Sequence, residues 1–192
     1  FGKVSDTLKG MSGFSRIKIG FLALIGLSIG SAFAGVRVVS DIDDTAKITN
    51  VGNPFSMILN GLFGKRAFSG MRELYSAFSI ERGYSFDYVT GAPDVIRFRA
   101  KRFLKSNGFP DGDLHTRGLG DGEVREYKTR VIRKLLDDHP SDRFILVGDD
   151  TESDFEVYDD LFRAVPDRIL AIYIRKVTNH RLPPSAYPFV TA

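Results

Sequence analysis

An acidic segment follows the first apolar run of the sequence and has the residue types that phosphoryl transfer requires. The run VRVVS covers 36–40, and the segment DIDDT (41–45) comes directly after it. A carboxylate can attack phosphorus and hold it as an acyl phosphate, which divides one difficult step into two easier ones. Asp41 is therefore the candidate nucleophile. In extended backbone Asp43 points to the same side as Asp41, and it is the candidate general acid and base.

Three residues farther along the chain could bind the phosphoryl group of a substrate. Thr90 follows the apolar run FDYV and offers a hydroxyl group, and Gly91 comes next, at the predicted start of a helix. The free backbone amides of Gly91 and Ala92 at a helix start are expected to form an anion site. Lys128, on a predicted amphipathic helix, supplies a fixed positive charge. We predict that Thr90, Gly91 and Lys128 bind phosphate, and that Thr90 and Lys128 take part in catalysis.

A second acidic segment, GDDTESD, follows the apolar run FILV and ends at Asp154. Carboxylates gathered around a phosphate repel one another unless a cation is present. A ligand set made only of oxygen atoms favours a hard ion, and Mg²⁺ is the usual partner of phosphate. Asp149 is predicted to be a direct ligand, together with the carboxylate of Asp41 and the backbone carbonyl of Asp43. Asp154 is expected either to ligate through water or to orient Lys128.

The remaining polar residues near these motifs are given structural roles. Asp150 and Glu152 are expected to be solvated acidic residues at a helix start, where the helix dipole favours negative charge. His115, His139 and His180 are scattered along the sequence, and we expect none of them to bind a metal or to take part in catalysis.

Apolar runs and helical patterns alternate along the chain after residue 34, which is typical of a parallel α/β sheet. Ligands of such sheets bind beyond the carboxyl ends of the strands, and the candidate residues follow the apolar runs directly. The predicted strands are 36–40, 86–90, 114–116, 144–148 and 169–174, and the predicted helices are 70–80, 93–106, 124–138 and 154–165.

The composition excludes several classes of protein. With 192 residues, of which 43% are hydrophobic and 27% charged, the chain is long enough for one domain with a core and too short for two. Because it has no cysteine, disulfides, thiolate metal sites and a cysteine nucleophile are excluded. The net charge of +3 comes from the first 34 residues, which have 4 basic and 1 acidic side chains and leave 23 of each sign in the rest. The rest has no excess of positive charge, and we predict that it binds no nucleic acid.

Residues 11–34 have the pattern of a secretory signal peptide. A positive start precedes an apolar core at 19–29, and small residues precede a cleavage position that would leave Gly35 as the first residue. The apolar core is shorter than the ~20 residues that a membrane-spanning helix needs, although a membrane anchor stays as the alternative. The predicted mature domain is 35–192, and we expect a bacterial protein that is periplasmic or secreted.

The motifs together resemble those of the haloacid dehalogenase superfamily. The match consists of D-x-D-x-T at 41–45, Thr90, Lys128 and G-D-x-x-x-x-D at 148–154. This resemblance implies a three-layer α/β sandwich with a mainly parallel central sheet. It also implies a small cap after the first strand, here 51–68.

A second, closer resemblance is carried by five longer stretches. These are SDIDDTAKIT (40–49), FSGMRELY (68–75), FLKSNGFPDGDL (103–114), FILVGDDTESDFEVY (144–158) and ILAIYIRKV (169–177). They look like the catalytic domain of the App1-type phosphatidate phosphatases. The resemblance implies removal of phosphate from phosphatidate, or from a related lipid phosphomonoester, with Mg²⁺ and an aspartyl-phosphate intermediate.

The substrate and even the activity have alternatives. A phosphatase of small soluble esters, such as nucleotides or sugar phosphates, would need the same catalytic residues. A non-catalytic binding protein is a further interpretation, but such a protein would be expected to lose Asp43 or Lys128, and both are present.

The predicted cap contains a segment that could contact a membrane. Residues 55–66 are rich in apolar side chains and end in Lys65 and Arg66. An apolar face beside a basic pair suits a helix on the surface of an anionic bilayer. The alternative is a cap that packs these side chains on the main domain.

Overall fold

The computed structural model of the chain describes residues 35–42 and 70–190. The predicted signal peptide at 11–34, the candidate acid and base Asp43, and the predicted cap at 51–68 lie outside the described residues. The predicted membrane-contact segment 55–66 also lies outside them.

Parallel strands form the centre of the fold. The strands are β1 (Gly35–Asp41), β2 (Ser85–Pro93), β3 (Asp113–Arg117), β4 (Asp142–Asp149), β5 (Ile169–Arg175) and β6 (Ala186–Phe189). Within the described ranges they make one sheet in the order β3-β2-β1-β4-β5-β6, and every neighbouring pair is parallel. The five predicted strands are confirmed. The sequence did not indicate β6, which is short, contains Pro188 and lies at the sheet edge, where a proline is tolerated.

Helices connect the strands. They are α1 (Met71–Ile80), α2 (Arg97–Ser106), α3 (Val124–Asp138) and α4 (Asp154–Ala164), with 3₁₀ turns at Asp94–Ile96 and Pro166–Arg168. The predicted helices agree with these bounds except at one end. The predicted start at Pro93 is wrong, because Pro93 is the last residue of β2 and the α-helix begins only at Arg97.

The helices cover both faces of the sheet. Alternate residues of a strand point to opposite faces, and neighbouring Val38 and Val39 accordingly enter two different cores. One core contains Tyr75 of α1 and Phe103 of α2. The other contains residues of α3 and α4, such as Ile132 and Leu161. The predicted three-layer sandwich is therefore confirmed. In the part of the chain described, none of the helices has the length and apolar character needed to cross a membrane.

The strand order brings the candidate residues to one edge. β1 lies between β2 and β4, so Asp41 at the end of β1 has Thr90 in the strand on one side and Asp149 at the end of the strand on the other. Asp41 pairs in register with Val89, and Ser40 pairs with Val147. The carboxyl ends of three neighbouring strands thus meet at the place where the sequence predicted a site.

Candidate active site

Lys128 is a buried ammonium group on the inner face of α3. That face is otherwise formed by apolar and aromatic side chains, such as Tyr127, Ile132 and Leu135, and Lys128 is only 1% exposed. An uncompensated buried charge is very costly. Here Nζ donates to Asp41 Oδ1 at 2.8 Å, to Asp154 Oδ1 at 2.5 Å and to Glu152 Oε2 at 3.2 Å. One lysine from α3 therefore contacts the carboxylate at the end of β1 and two carboxylates that follow β4.

These carboxylates keep Lys128 protonated. Burial acts to lower the pKa of Lys128, but the negative charges of Asp154 and Asp41 outweigh burial and raise that pKa well above its usual value. The lysine is then a permanent positive charge beside Asp41. The predicted role as a fixed charge has the geometry that it requires.

Asp154 holds the ammonium group and is itself tightly packed. It is the first residue of α4 and is completely buried. Its Oδ2 accepts a hydrogen bond from the backbone amide of Asp149 at 3.5 Å. A Cβ atom added at Gly148 would lie 2.6 Å from Asp154 Oδ2 and 2.8 Å from Asp154 Cβ, so glycine is required there. Of the two roles expected for Asp154, the contact with Lys128 is present in the structure.

Asp149 is oriented by the residues that follow it. Its Oδ1 accepts hydrogen bonds from the backbone amide of Thr151 at 2.6 Å and from Thr151 Oγ1 at 2.7 Å. Burial, followed by the negative charge of Asp41, raises the pKa of Asp149 above its usual value. No role was predicted for Thr151 from the sequence, although a Thr two residues after an Asp is a common signal of such a local turn.

The carboxylates of Asp41 and Asp149 fit a hard cation. Both are buried, and burial, together with the negative charge of Asp41, raises the pKa of Asp149. Among the described residues, no group of three or more His, Cys, Asp or Glu side chains could hold a metal ion by itself. Mg²⁺ usually keeps several waters and uses one or two carboxylates together with substrate phosphate. The donor set is therefore of the kind that Mg²⁺ takes.

Thr90 and the residues after it differ from the prediction. Thr90 is fully buried, and its Oγ1 accepts a hydrogen bond from the backbone amide of Ala92 at 2.9 Å. Gly91 and Ala92 belong to β2 and do not begin a helix. The predicted helix start at Gly91 and Ala92 is wrong, because β2 continues through Pro93, and the Ala92 amide is bonded to Thr90. Phosphate binding by Thr90 and Gly91 stays a prediction. Gly91 is packed against α3, where an added Cβ would lie 3.0 Å from Val124 Cγ1.

Asp150 is buried, contrary to the expectation of a solvated residue. Its carboxylate accepts from Lys176 Nζ at 2.6 Å and from the backbone amides of Val177 and Thr178 at 2.7 and 2.8 Å. Burial acts to raise the pKa of Asp150, but the hydrogen bonds from Lys176, Thr178 and Val177 outweigh it and lower the pKa to about 2. Asp150 therefore fixes the connection after β5 beside the candidate site.

Glu152 agrees only in part with the expectation of a solvated residue. Its side chain is 41% exposed, as a solvated residue would be, but it also reaches Lys128. It lies before α4 and not in its first turn. We therefore place Glu152 at the rim of the site as a third acceptor for the ammonium group.

The histidines make structural contacts. His115 Nε2 lies 2.7 Å from Asp87 Oδ1, and His180 Nδ1 lies 2.8 Å from the backbone oxygen of Asp150. His139 Nδ1 lies 3.2 Å from the guanidinium of Arg37. All three histidines therefore have partners within the fold, and the absence of a catalytic or metal-binding role for them stays a prediction.

Comparison with known proteins assigns the family. The family model described as "Phosphatidate phosphatase APP1, catalytic domain" matches residues 36–176. The chain is 31% identical over 156 residues to phosphatidate phosphatase APP1 of Saccharomyces cerevisiae, a match that covers 76% of this chain and 26% of that protein. The chain thus spans about a quarter of the length of that relative. A chain in the "Structure of Pnkp1/Rnl/Hen1 complex" superposes with a TM-score of 0.48 at 17% identity, over 81% of this chain and 55% of that one. With most of its length matched by the model, the chain belongs to the family of the phosphatidate phosphatase APP1 catalytic domain.

Proposed function

We propose that the chain is a Mg²⁺-dependent phosphatase that hydrolyses phosphatidate, or a related lipid phosphomonoester, through a phosphorylated Asp41. The observation that carries the proposal is the contact of 2.8 Å between Asp41 Oδ1 and Nζ of the buried Lys128. A carboxylate at a strand end, next to a permanent positive charge, has the nucleophile and the charge compensation that phosphoryl transfer needs.

In the first step, a carboxylate oxygen of Asp41 attacks phosphorus. A bond forms between that oxygen and phosphorus, and the bond between phosphorus and the ester oxygen breaks. The leaving alkoxide takes a proton from Asp43, the residue assigned from the sequence. Lys128 offsets negative charge near the reacting atoms, and Asp154 and Glu152 keep its ammonium group in place.

In the second step, water cleaves the aspartyl-phosphate. Asp43, now deprotonated, accepts a proton from the water as its oxygen attacks phosphorus. The bond between phosphorus and the Asp41 oxygen breaks, inorganic phosphate leaves, and the Asp41 carboxylate is restored. The two steps together consume one water and release one alcohol and one phosphate.

We propose that Asp41, Asp149 and the backbone carbonyl of Asp43 would hold Mg²⁺, and that Asp154 would either ligate the ion through water or serve only to orient Lys128. Bound there, Mg²⁺ would neutralise phosphate charge and orient the ester. The raised pKa of Asp149 supports this assignment, because a nearby cation would stabilise the charged form that burial and Asp41 disfavour. Thr151 would keep Asp149 oriented towards the ion through the two hydrogen bonds to Oδ1.

The substrate class rests on the relative from yeast, which is named a phosphatidate phosphatase. The apolar segment 55–66 with Lys65 and Arg66 is proposed to contact the membrane in which such a substrate lies. Export of 35–192 after cleavage of 11–34 is part of the same proposal.

The experiment is a substrate panel with the purified chain. Phosphatidate in mixed micelles, p-nitrophenyl phosphate, nucleotides and sugar phosphates are each tested with Mg²⁺ and with EDTA, with Asp41→Asn as the control for contaminating phosphatase. Faster hydrolysis of phosphatidate that requires Mg²⁺ supports the proposal. Hydrolysis of the soluble esters alone would assign a soluble substrate. If no ester is hydrolysed in a way that depends on Asp41, the chain would be interpreted as a non-catalytic binding protein.

A further inference from the structure

The outer face of α2 is strongly basic. Ala100, Phe103 and Leu104 of this helix point into the core. At helical spacing, the opposite side is a stripe that begins with Phe98 and continues with Lys101, Arg102 and Lys105, and all four are exposed. The helix contains five Lys or Arg residues and no acidic residue.

Three of these five basic side chains have no acidic partner among the described residues. Arg97 pairs with Asp94 at 3.6 Å. No carboxylate in the described part of the chain pairs with Lys101, Arg102 or Lys105. The outer face of α3 differs, since Arg130 pairs with Asp121 and Lys134 with Asp138. The outer faces of α2 and α3, on opposite sides of the sheet, therefore differ in charge. Basic side chains of α3 are paired with carboxylates, whereas Lys101, Arg102 and Lys105 of α2 are not paired with any in the described residues.

Exposed apolar side chains lie at the amino-terminal end of the same helix. Val95 and Phe98 are 76% and 70% exposed, and Leu119 is fully exposed. Val95 follows β2 and Leu119 follows β3, and these strands are neighbours. Thr116 Oγ1 of β3 donates to Asp94 Oδ1 at 2.5 Å, which joins the two connections. The three apolar side chains thus lie at the sheet edge that contains Asp41 and Asp149.

We propose that these residues form a docking surface for an anionic lipid bilayer, which we call the α2 surface and define as Val95, Phe98, Lys101, Arg102, Lys105 and Leu119. Apolar side chains that enter the interface beside basic groups that attract anionic headgroups are the components of peripheral membrane binding. The inference rests on the proposed function, because a phosphatase of bilayer lipid must bring its strand-end carboxylates to the headgroups. Val95 and Leu119 favour lipid over single-stranded nucleic acid, whose binding uses aromatic stacking.

Tryptophan fluorescence tests the surface directly, because the chain has no tryptophan. The Phe98→Trp variant of the full chain is titrated with vesicles of phosphatidylcholine and phosphatidylserine, and with vesicles of phosphatidylcholine alone. We expect a blue shift with the anionic vesicles and quenching when their acyl chains are brominated. Ile80→Trp is the matched control, because Ile80 is 83% exposed at the end of α1, towards the start of β2. Its fluorescence should not change.

Charge reversal tests the basic residues. Lys101→Glu, Arg102→Glu and Lys105→Glu are combined in one variant, and Arg130→Glu, Arg133→Glu and Lys134→Glu on α3 make a control with the same net charge. At about 1 kcal/mol for each basic residue near an anionic surface, the α2 variant should lose on the order of 100-fold in the fraction partitioned into anionic vesicles. The α3 variant should keep most of its binding. Hydrolysis of p-nitrophenyl phosphate should be unchanged in both.

Several results would overturn the inference. These are no fluorescence shift in Phe98→Trp, equal shifts in Phe98→Trp and Ile80→Trp, or equal loss of vesicle binding in the two charge variants. A shift of Phe98→Trp with single-stranded RNA and none with vesicles would assign the surface to nucleic acid. Vesicle binding through α2 by a chain without phosphatase activity would leave this inference standing and remove the proposed function. Hydrolysis of micellar phosphatidate without vesicle binding would remove this inference and leave the proposed function standing.

Discussion

Lys128 Nζ lies 2.5 Å from Asp154 Oδ1, and the two side chains come from the neighbouring helices α3 and α4. Both are almost completely buried, and the same Nζ lies 2.8 Å from Asp41 Oδ1. Asp154 thus holds the ammonium group beside the candidate nucleophile. Its effect on the reaction would pass through Lys128, which makes it a positioning residue.

Lys128→Met should destabilise the fold, because it leaves buried carboxylates without their cation. Loss of one partner of a buried ion pair costs about 3 kcal/mol or more in the free energy of unfolding. Adding Asp154→Asn to Lys128→Met should restore part of that loss while activity stays absent. Urea denaturation of the parent, both single variants and the double variant measures the coupling. If the losses in the free energy of unfolding of the two single variants simply add in the double variant, the expected coupling between Lys128 and Asp154 is contradicted.

Asp41→Asn should abolish turnover and leave the fold intact. The amide keeps an oxygen that can accept from Lys128, but it cannot form the acyl phosphate. The measurements are phosphate release and the thermal unfolding midpoint. Asp137→Asn, an exposed carboxylate on α3, is the control and should behave like the parent. Turnover retained in Asp41→Asn would remove Asp41 as the nucleophile.

Gly148→Ala should disturb the site without replacing a charged residue. The added methyl group would lie 2.6 Å from Asp154 Oδ2, so Asp154 must move and Lys128 must follow. Overpacking of this kind costs about 1–3 kcal/mol, and kcat should fall as well. Gly120→Ala is the matched control, since an added Cβ there meets nothing within 4 Å. Equal behaviour of the two variants would mean that Asp154 can shift without consequence.

The strand ends were predictable from the sequence because apolar runs and the residues after them are local signals. Asp41 and Asp149 were found in that way, and their meeting follows from the parallel order of the strands. Lys128 was predicted from the amphipathic pattern of its helix. The burial of Asp150 was not predictable, since its partners Lys176, Val177 and Thr178 come from a connection that only the tertiary fold brings near.

The wrong prediction of a helix start at Pro93 has a different cause. A proline suits the first turn of a helix, but its fixed φ suits extended backbone as well. Pro93 has φ −63° and ψ 147°, which continues β2. The sequence pattern could not decide between these two uses of the same residue. Asp43 stays a prediction, because it lies outside the described residues.

Asp149→Asn should separate metal binding from folding. Because burial and Asp41 raise the pKa of Asp149, its negative charge costs stability when no cation is bound. In EDTA the variant should therefore be as stable as the parent or more stable. Mg²⁺ should raise the unfolding midpoint of the parent in proportion to its occupancy, and raise that of the variant far less. Equal stabilisation of both by Mg²⁺ would exclude Asp149 as a ligand.

The last prediction concerns acid stability and a polar cluster away from the site. Asp87 is 1% exposed, and it contacts Arg37 Nη1 at 2.6 Å and His115 Nε2 at 2.7 Å. Burial acts to raise the pKa of Asp87, but the hydrogen bonds from His115 and Arg37 outweigh it, and the pKa is lowered below its usual value. A carboxylate with a lowered pKa in the folded state stabilises the fold fully above its unfolded pKa of about 3.9. That stabilisation is lost as the pH falls through the folded pKa.

Asp87→Asn should therefore lower the free energy of unfolding by about 3 kcal/mol at neutral pH, because Arg37 loses its closest carboxylate. The difference between parent and variant should shrink below pH ~4. Urea denaturation of both proteins from neutral pH to below pH ~4 measures this difference in the free energy of unfolding. Asp137→Asn is again the exposed control. A difference that stays constant down to the acid end would show that the charge of Asp87 contributes nothing to stability.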